Sequence, residues 1–373
     1  MTDPAASVDH PASDPSGVLP DAAIARLIET GAVAAQPGID TGQIQPASLD
    51  LRLGPVAWRV RASFLAGATR SVAQRLDAFS MHRMDLHDGA VLETGCVYIV
   101  PLMETLDLPP DISAVANAKS STGRLDLFTR LITDRGEEFD RIDAGYAGPL
   151  YAEISPRSFS VLVRPGMRLN QIRFRRGQAL LDDATLGALH AERGLVDRAP
   201  HIDGGIGFSV DLAPQSGQPA GWRAKPHSGL IDLDRIAHYP IGEFWEPVEP
   251  RPEGGIILDP GAFYILVSRE AVHVPPDYAA EMAPYLAMVG EFRVHYAGFF
   301  DPGFGHAAAG GGGARGVLEV RCHEAPFALE HGQIVGRLVY ERMAAPPERL
   351  YGTALGSTYQ GQGLRLAKQF RSD

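Results

Sequence analysis

Cysteine is scarce: Cys96 and Cys322 are the only two in 373 residues. A disulfide framework is thereby ruled out, and a reducing compartment, the cytoplasm, is the expected setting. No Cys-x-x-Cys occurs. The twelve histidines form neither His-Glu-x-x-His nor a His-x-Glu followed by Pro-Cys-x-x-Cys, so zinc hydrolase and zinc deaminase chemistry has no recognisable ligand set. No apolar run approaches the roughly 18 residues of a membrane-spanning helix. Positive charge is in deficit as well. A formal net charge of −11 argues against a nucleic-acid partner gripped along its backbone, and an anionic ligand would need a local cationic pocket. The opening "MTDPAASVDHPASDPSG" has neither a basic n-region nor an apolar h-region, so it is not read as a secretory signal; its composition predicts a disordered lead over residues 1–17.

Glycine and proline are plentiful, 41 and 29 residues, and they punctuate short apolar runs. That pattern predicts an all-β body with few short helices. One helix is expected within Leu19–Val33, where Asp21 could cap it, and a second over Asp182–Arg193.

The two halves repeat. "LETGCVYIV" at 92–100 is mirrored by "LDPGAFYIL" at 258–266, Pro109-Pro110-Asp111 by Pro275-Pro276-Asp277, and "RPGMRLNQIRF" at 164–174 by "EHGQIVGRLVY" at 330–340. Every block, and the pair Glu153 and Glu319, is offset by 166 residues. A constant offset over so long a span predicts two copies of one β domain. Their expected limits are 18–182 and 200–373, with a helical connector over 183–199; Pro-rich "EPVEPRPEGG" (246–255) reads as a loop inside the second copy.

The copies diverge at "NAKSSTGRLD" (117–126). Lys119, Ser120, Ser121 and Arg124 put two cations and two hydroxyls within six residues, a set of donors suited to phosphate oxygens. At the same offset the second copy has Tyr285, Leu286, Ala287 and Gly290, which could hold no anion. Gly-rich "GHAAAGGGGARG" (305–316) lacks a Gly-Lys-Ser/Thr and a following helix, so it is expected to be a flexible hairpin insertion rather than a phosphate loop.

"QIQPASLDLRLGP" (43–55), "AKSSTGR" (118–124), "RIDAGYAGPLYAE" (141–153) and "RPGM" (164–167) together resemble the dCTP deaminase family, the deaminating branch of the trimeric dUTPase superfamily. In the second copy "YAGFFDPGFG" (296–305), "GVLE" (316–319) and the tail "YGTALGSTYQGQG" (351–363) resemble the later motifs of the same family. The resemblance implies two tandem dUTPase-like β-clip domains, each a distorted jelly-roll. It implies hydrolytic deamination of dCTP to dUTP and ammonia, attack at the C–N bond of a cyclic amidine, without zinc. Mg²⁺ would arrive with the triphosphate and not on protein ligands. Lys119, Ser120, Ser121, Arg124 and Tyr351 would bind phosphate. Asp143 or Asp301 would accept the sugar 3′-hydroxyl, Tyr146 or Phe304 would pack under deoxyribose, and Ala297 and Gln362 would face the base. Lys119 stands where the family usually has Arg, and Thr358 where it has a phosphate-binding Lys.

Two carboxylates match the family's catalytic Glu: Glu153, after Gly148, and Glu319, after Gly316. Phe139 stands where a small Ala is usual beside the base, so the first copy keeps a cradle but loses base space; the second keeps Ala297, Asp301, Glu319 and the tail but has no cradle. A composite site, cradle from one half and Glu319 from the other, accounts for both losses. Against it, a closed three-fold ring cannot alternate two domain types, and a ring of first-half domains would make Glu153 catalytic. The family's sites lie between barrels, so a homo-oligomer, a trimer or a dimer of two-domain chains, is expected, with dTTP as a possible regulator. The rival functions are dUTP diphosphatase, alone or coupled to deamination, and a non-catalytic nucleotide sensor.

Overall fold

The computed structural model describes residues 15–213, 218–252, 254–284, 292–295, 298–352 and 359–371. The architecture is all-β with a few short helices. In the first half, the strand Arg168–Arg176 runs antiparallel to Leu49–Arg52 on one side and Ile112–Ala118 on the other. In a second sheet Ala147–Pro156 lies between Val97–Asp107 and Leu127–Thr133. The second half repeats this plan. Ile334–Arg342 lies between Ile206–Ser209 and Tyr278–Pro284, and Ala314–Cys322 lies between Phe263–Val272 and Phe292–His295.

The repetition extends to single hydrogen bonds. The Tyr98 hydroxyl accepts from the Glu93 backbone N–H at 3.0 Å, and its counterpart Tyr264 accepts from Asp259 at 2.9 Å. Buried Glu104 accepts from the Arg52 N–H at 2.8 Å, and buried Glu270 from the Ser209 N–H, also at 2.8 Å. Both carboxylates satisfy a strand N–H that the adjoining ladder leaves open, which is why a charged residue survives at that buried position.

Helices occupy Asp21–Glu29 and Asp183–Arg193. Asp182 caps the second, accepting from the Thr185 N–H at 2.8 Å, and Gly194 closes it in the left-handed conformation. Asp21 is not a cap. Pro20 takes that position, and the Asp21 carboxylate instead accepts from the backbone N–H groups of Glu348 and Arg349, tying the chain start to the segment before the tail.

The halves are not beads on a string. A long excursion of the second half carries Ile231, Leu233, Phe244 and Trp245 into the core of the first, and the C-terminal segment adds Leu366, Ala367 and Phe370. Trp245 is 1% exposed and sits edge-on to Phe159 at 5.4 Å and to Phe370 at 5.8 Å. Ile231–Asp232 pairs in parallel with Val161–Val163 of the first half, so the two are joined by backbone as well. Among the described residues no helix is long and apolar enough to cross a membrane.

Such a shared core predicts one cooperative unit. Trp245→Ala, which empties a site walled by both halves, should cost about 3–5 kcal/mol. By scanning calorimetry it should lower a single transition. Two separated transitions in the wild type would show that the halves unfold independently.

Candidate active site

The cationic cluster forms a fixed turn. The strand Ile112–Ala118 ends at Lys119, one helical turn covers Ser120–Gly123, and the next strand opens at Leu127. The Lys119 N–H donates to the Leu169 carbonyl at 2.8 Å and the Thr122 hydroxyl donates to the same oxygen at 3.0 Å. Asp126 turns the chain with φ of +52°. Thr122, Arg124 and Asp126 are buried, so the hydroxyls of Ser120 and Ser121 and the Lys119 stem are left on the accessible side.

Glu319 lies on the strand Ala314–Cys322 of the other half and is 4% exposed. Three residues earlier, Gly316 is held against the Phe208 ring, which would stand 2.3 Å from any Cβ, so close packing requires glycine there. Two residues beyond Glu319, Arg321 forms an ion pair with Asp126, itself two residues beyond Arg124. The Ser158 hydroxyl completes that clamp by donating to Asp126 at 2.6 Å. The cradle turn and the Glu319 strand are thus locked side by side, and between them lies a cavity of about 240 Å³. Lys119, Ser120, Ser121 and Arg124 enter it from the first half, and Asp301, Phe304, Glu319, Tyr351 and Gln362 from the second.

The electrostatics of the cavity follow from burial. Burial pushes the Glu319 carboxyl well above its ordinary range; the Arg124 guanidinium opposes this and Asp126 adds to it. Among the described residues the Glu319 carboxyl has no hydrogen-bond partner and no ion pair. Burial also raises Asp301, against the pull of Arg173, whose guanidinium donates to it at 3.0 Å. Among the described residues Arg124 has no carboxylate partner: it donates to the Gln362 side-chain oxygen at 2.9 Å and to the Arg365 carbonyl at 3.1 Å, and it lies 3.8 Å from the Tyr359 ring centre. The Ser121 and Tyr359 hydroxyls are hydrogen-bonded at 2.6 Å. Burial raises the Tyr351 phenol to about 12, and its ring packs on Phe304 at 5.7 Å.

Several sequence candidates lie elsewhere. Asp143 is exposed and pairs with Arg141 at 3.2 Å. The Tyr146 hydroxyl donates to the Pro149 carbonyl at 2.7 Å and accepts from the Asp134 N–H at 3.2 Å, as a packed structural residue. Glu153, 1% exposed, is held by Arg130 at 2.5 Å, and the Arg130 guanidinium stacks on Phe139 at 3.4 Å. The cluster around Phe64, Val72 and Leu76 packs against Phe139 and closes this face of the first half. Ala297, Thr358 and the second-copy positions 285–290 lie outside the described residues. The Gly-rich stretch 305–316 is a compact turn: Gly305 N–H donates to the Gln360 side chain at 3.0 Å, and a Cβ on Gly305 would stand 2.0 Å from the Val272 carbonyl.

Other residues reach the cavity without having been singled out in the sequence. Gln45, Gln171, Tyr359 and Lys368 line it. Gln171 sits on a strand whose alternation reads only as structural, and Lys368 lies beyond the last motif, where the one available signal was an unassigned cation ten residues after Thr358. Among the described residues no group of three or more His, Cys, Asp or Glu side chains is gathered as for a metal ion.

Comparisons with known proteins agree on one family. Residues 15–178 match the family profile of the 2′-deoxycytidine 5′-triphosphate deaminase N-terminal domain, and residues 182–370 that of its C-terminal domain. The crystal structure of 2′-deoxycytidine 5′-triphosphate deaminase from Agrobacterium tumefaciens superposes with a TM-score of 0.85 at 59% identity, covering 88% of this chain and 99% of that one. A dUMP-forming dCTP deaminase of Persephonella marina is 27% identical over 188 residues, 48% of this chain and 93% of that protein. A dUMP-forming dCTP deaminase of Beutenbergia cavernae is 36% identical over 120 residues, 31% of this chain and 58% of that protein.

The isolation of Glu319 has a thermodynamic signature. Its folded pKa lies above its unfolded value, so burial costs nothing below the unfolded pKa, where both states are protonated, and destabilises increasingly as pH rises from there. Glu319→Gln should therefore raise the melting temperature at about pH 8 and leave it nearly unchanged at about pH 4. A variant melting below wild type at pH 8 would contradict this.

Proposed function

The chain belongs to the 2′-deoxycytidine 5′-triphosphate deaminase family, and from that premise we propose that the cavity between its halves deaminates dCTP by hydrolysis, with Glu319 as the acid–base group. One observation carries the reading: a buried carboxyl, unpartnered among the described residues, faces the same cavity as a cationic, hydroxyl-bearing turn. Its pKa, raised towards the working pH, suits a group that must both give and take protons.

Protonated Glu319 donates to N3 of cytosine, which makes C4 electrophilic. The resulting carboxylate takes a proton from the water that attacks C4. The re-formed acid protonates the amine, ammonia leaves as the C–N bond breaks, and the C4 hydroxyl returns its proton to Glu319 as the carbonyl forms. Each proton given is recovered, so the group ends as it began. The water-poor, buried setting strengthens each of these transfers.

The remaining side chains divide the substrate between them. Lys119, Ser120, Ser121 and Arg124 take the phosphates, and Tyr351 and Gln362 close over phosphate and base. Asp301 accepts the 3′-hydroxyl while Arg173 holds its carboxylate in place. Phe304, wedged between Phe300 at 5.0 Å and Tyr351, supplies a hard floor under the sugar, where a 2′-hydroxyl would find no hydrogen-bond partner. Mg²⁺ would come with the triphosphate; among the described residues Asp50 is engaged by Lys119 and Asp301 by Arg173. The relatives named as dUMP-forming favour a second reading, in which dUTP is hydrolysed further at the same cavity.

Incubation with dCTP and Mg²⁺, with products resolved by ion exchange and ammonia assayed, tests both readings. Wild type should release ammonia, Glu319→Gln should lose about 100- to 10,000-fold in kcat, and Glu153→Gln should stay near wild type. Accumulating dUTP identifies the plain deaminase, and dUMP with pyrophosphate identifies the coupled reaction. Loss of ammonia release in Glu153→Gln alone would move the chemistry to the other half.

A further inference from the structure

A second cavity, of about 340 Å³, adjoins the first, and Lys119, Ser121 and Lys368 line both. Arg168, Asp50 and Asp234 are on its walls. Lys119 is paired with Asp50, while Arg168 lies 3.8 Å from Asp50 and 3.6 Å from Asp40. Asp234 is taken by Arg164 at 2.8 Å. Lys368 differs from all of these: among the described residues its ammonium has neither an ion pair nor a hydrogen bond. Partial burial, with the Lys119 ammonium nearby, lowers its pKa against the opposing pull of Asp50 and Asp234, although the residue as a whole is exposed. Asp50 and Asp234 are the acidic groups near it, but each is engaged by another cation, so at the junction of the two cavities Lys368 is the cation with no ion pair or hydrogen bond among the described residues, and it is available to an anion.

The position is built, not accidental. The Lys368 carbonyl accepts from the Ala237 N–H at 2.9 Å, and the Gln369 carbonyl from the His238 N–H at 2.8 Å. Gln369 donates from its side chain to the Leu233 carbonyl at 3.1 Å. Leu366, Ala367 and Phe370 are buried in the core of the first half. Lys368 therefore projects from an anchored strap. By contrast, position 358, where the resemblance would put a phosphate-binding lysine, holds Thr.

Resting on the deaminase reading, we propose that the second cavity receives the terminal phosphates of the nucleotide, and that Lys368, with Arg168 behind it, reads the length of the phosphate chain. With the base at Glu319 and the phosphates running over the cradle turn, whose Lys119 and Ser121 line both cavities, the later phosphates of a di- or triphosphate lie towards Lys368. Lys368 is then a specificity-determining residue: it separates dCTP from dCMP and does no chemistry on the base.

Calorimetric titration of dCTP, dCDP and dCMP into wild type, Lys368→Met and Lys368→Arg tests this without requiring turnover, so its outcome is separable from that of the deaminase reading. Wild type should bind dCTP more tightly than dCMP. Lys368→Met should weaken dCTP about ten- to hundredfold and leave dCMP unchanged, and Lys368→Arg should restore most of the difference. Equal weakening of all three nucleotides would indicate a merely structural role and overturn the proposal, as would an unaltered ratio of dCTP to dCMP affinity. Wild type that binds dCTP no more tightly than dCMP would overturn it too.

Discussion

The ion pair between Asp126 and Arg321 decides where everything else in the site can be. Asp126 is 1% exposed and Arg321 9%, so neither charge keeps its hydration, and each belongs to a different half of the chain. A buried pair of this kind is poor evidence for net stability, because desolvation offsets most of the attraction. It is strong evidence for register. Arg124 stands two residues before Asp126 in the turn that precedes the strand at Leu127, and Glu319 two residues before Arg321 on its strand. Clamping the later residues brings the earlier ones to face each other across the cavity. A slip of one residue in either segment would turn a working group away.

A second set of charges holds the opposite wall. Arg173, 0% exposed, donates to Asp301 at 3.0 Å and to the Ala280 carbonyl at 3.1 Å, and its guanidinium lies over the Phe299 ring. Arg175 reaches Glu281 and Glu341 from the same strand. In the strand Arg168–Arg176 the alternate residues Ile172 and Phe174 point into the first-half core while Arg173 and Arg175 point at the second half. The period of two in that strand thus encodes both a fold and an interface. With Trp245 and Phe370 buried in the first-half core, these pairs make the two halves a single rigid frame around the cavity.

Much of this arrangement is legible in the sequence, for identifiable reasons. The repeat shows itself as an offset of 166 residues, and the all-β class follows from short apolar runs between glycines and prolines. The asymmetry at Lys119, Ser120, Ser121 and Arg124 marks the half that carries the cradle, and the loss of base space at Phe139 points to the other half for the carboxylate. Spatial facts without sequence periodicity stay hidden. Nothing in the order of residues couples Asp126 to Arg321, 195 positions later. Asp21 looks like a helix cap because its spacing fits one, and only the return of Glu348 and Arg349 shows its other use. The Gly-rich turn at 305–316 has a flexible composition, yet Gln360 knits it into place with contacts to Gly303, Gly305 and Ala309. Lys368 carries no motif at all.

Glu153 and Glu319 show how far environment, and not residue type or strand position, sets chemical use. Both lie on the strand next to the edge of the larger sheet of their half, 166 residues apart, and both are buried. Glu153 has a guanidinium at 2.5 Å that is itself sandwiched on Phe139, so its charge is matched and its face is filled. Glu319 has only the more distant Arg124 and Asp126, which pull its pKa in opposite directions, and burial then dominates. A buried carboxyl beside a cavity, with its pKa raised, is placed to give and take protons. The duplication supplied two candidate acids on one scaffold, and Arg130 and Phe139 engage one of them. Glu319, by contrast, has neither an ion pair nor a hydrogen bond among the described residues, and it faces the buried Arg124 side of the turn across the cavity.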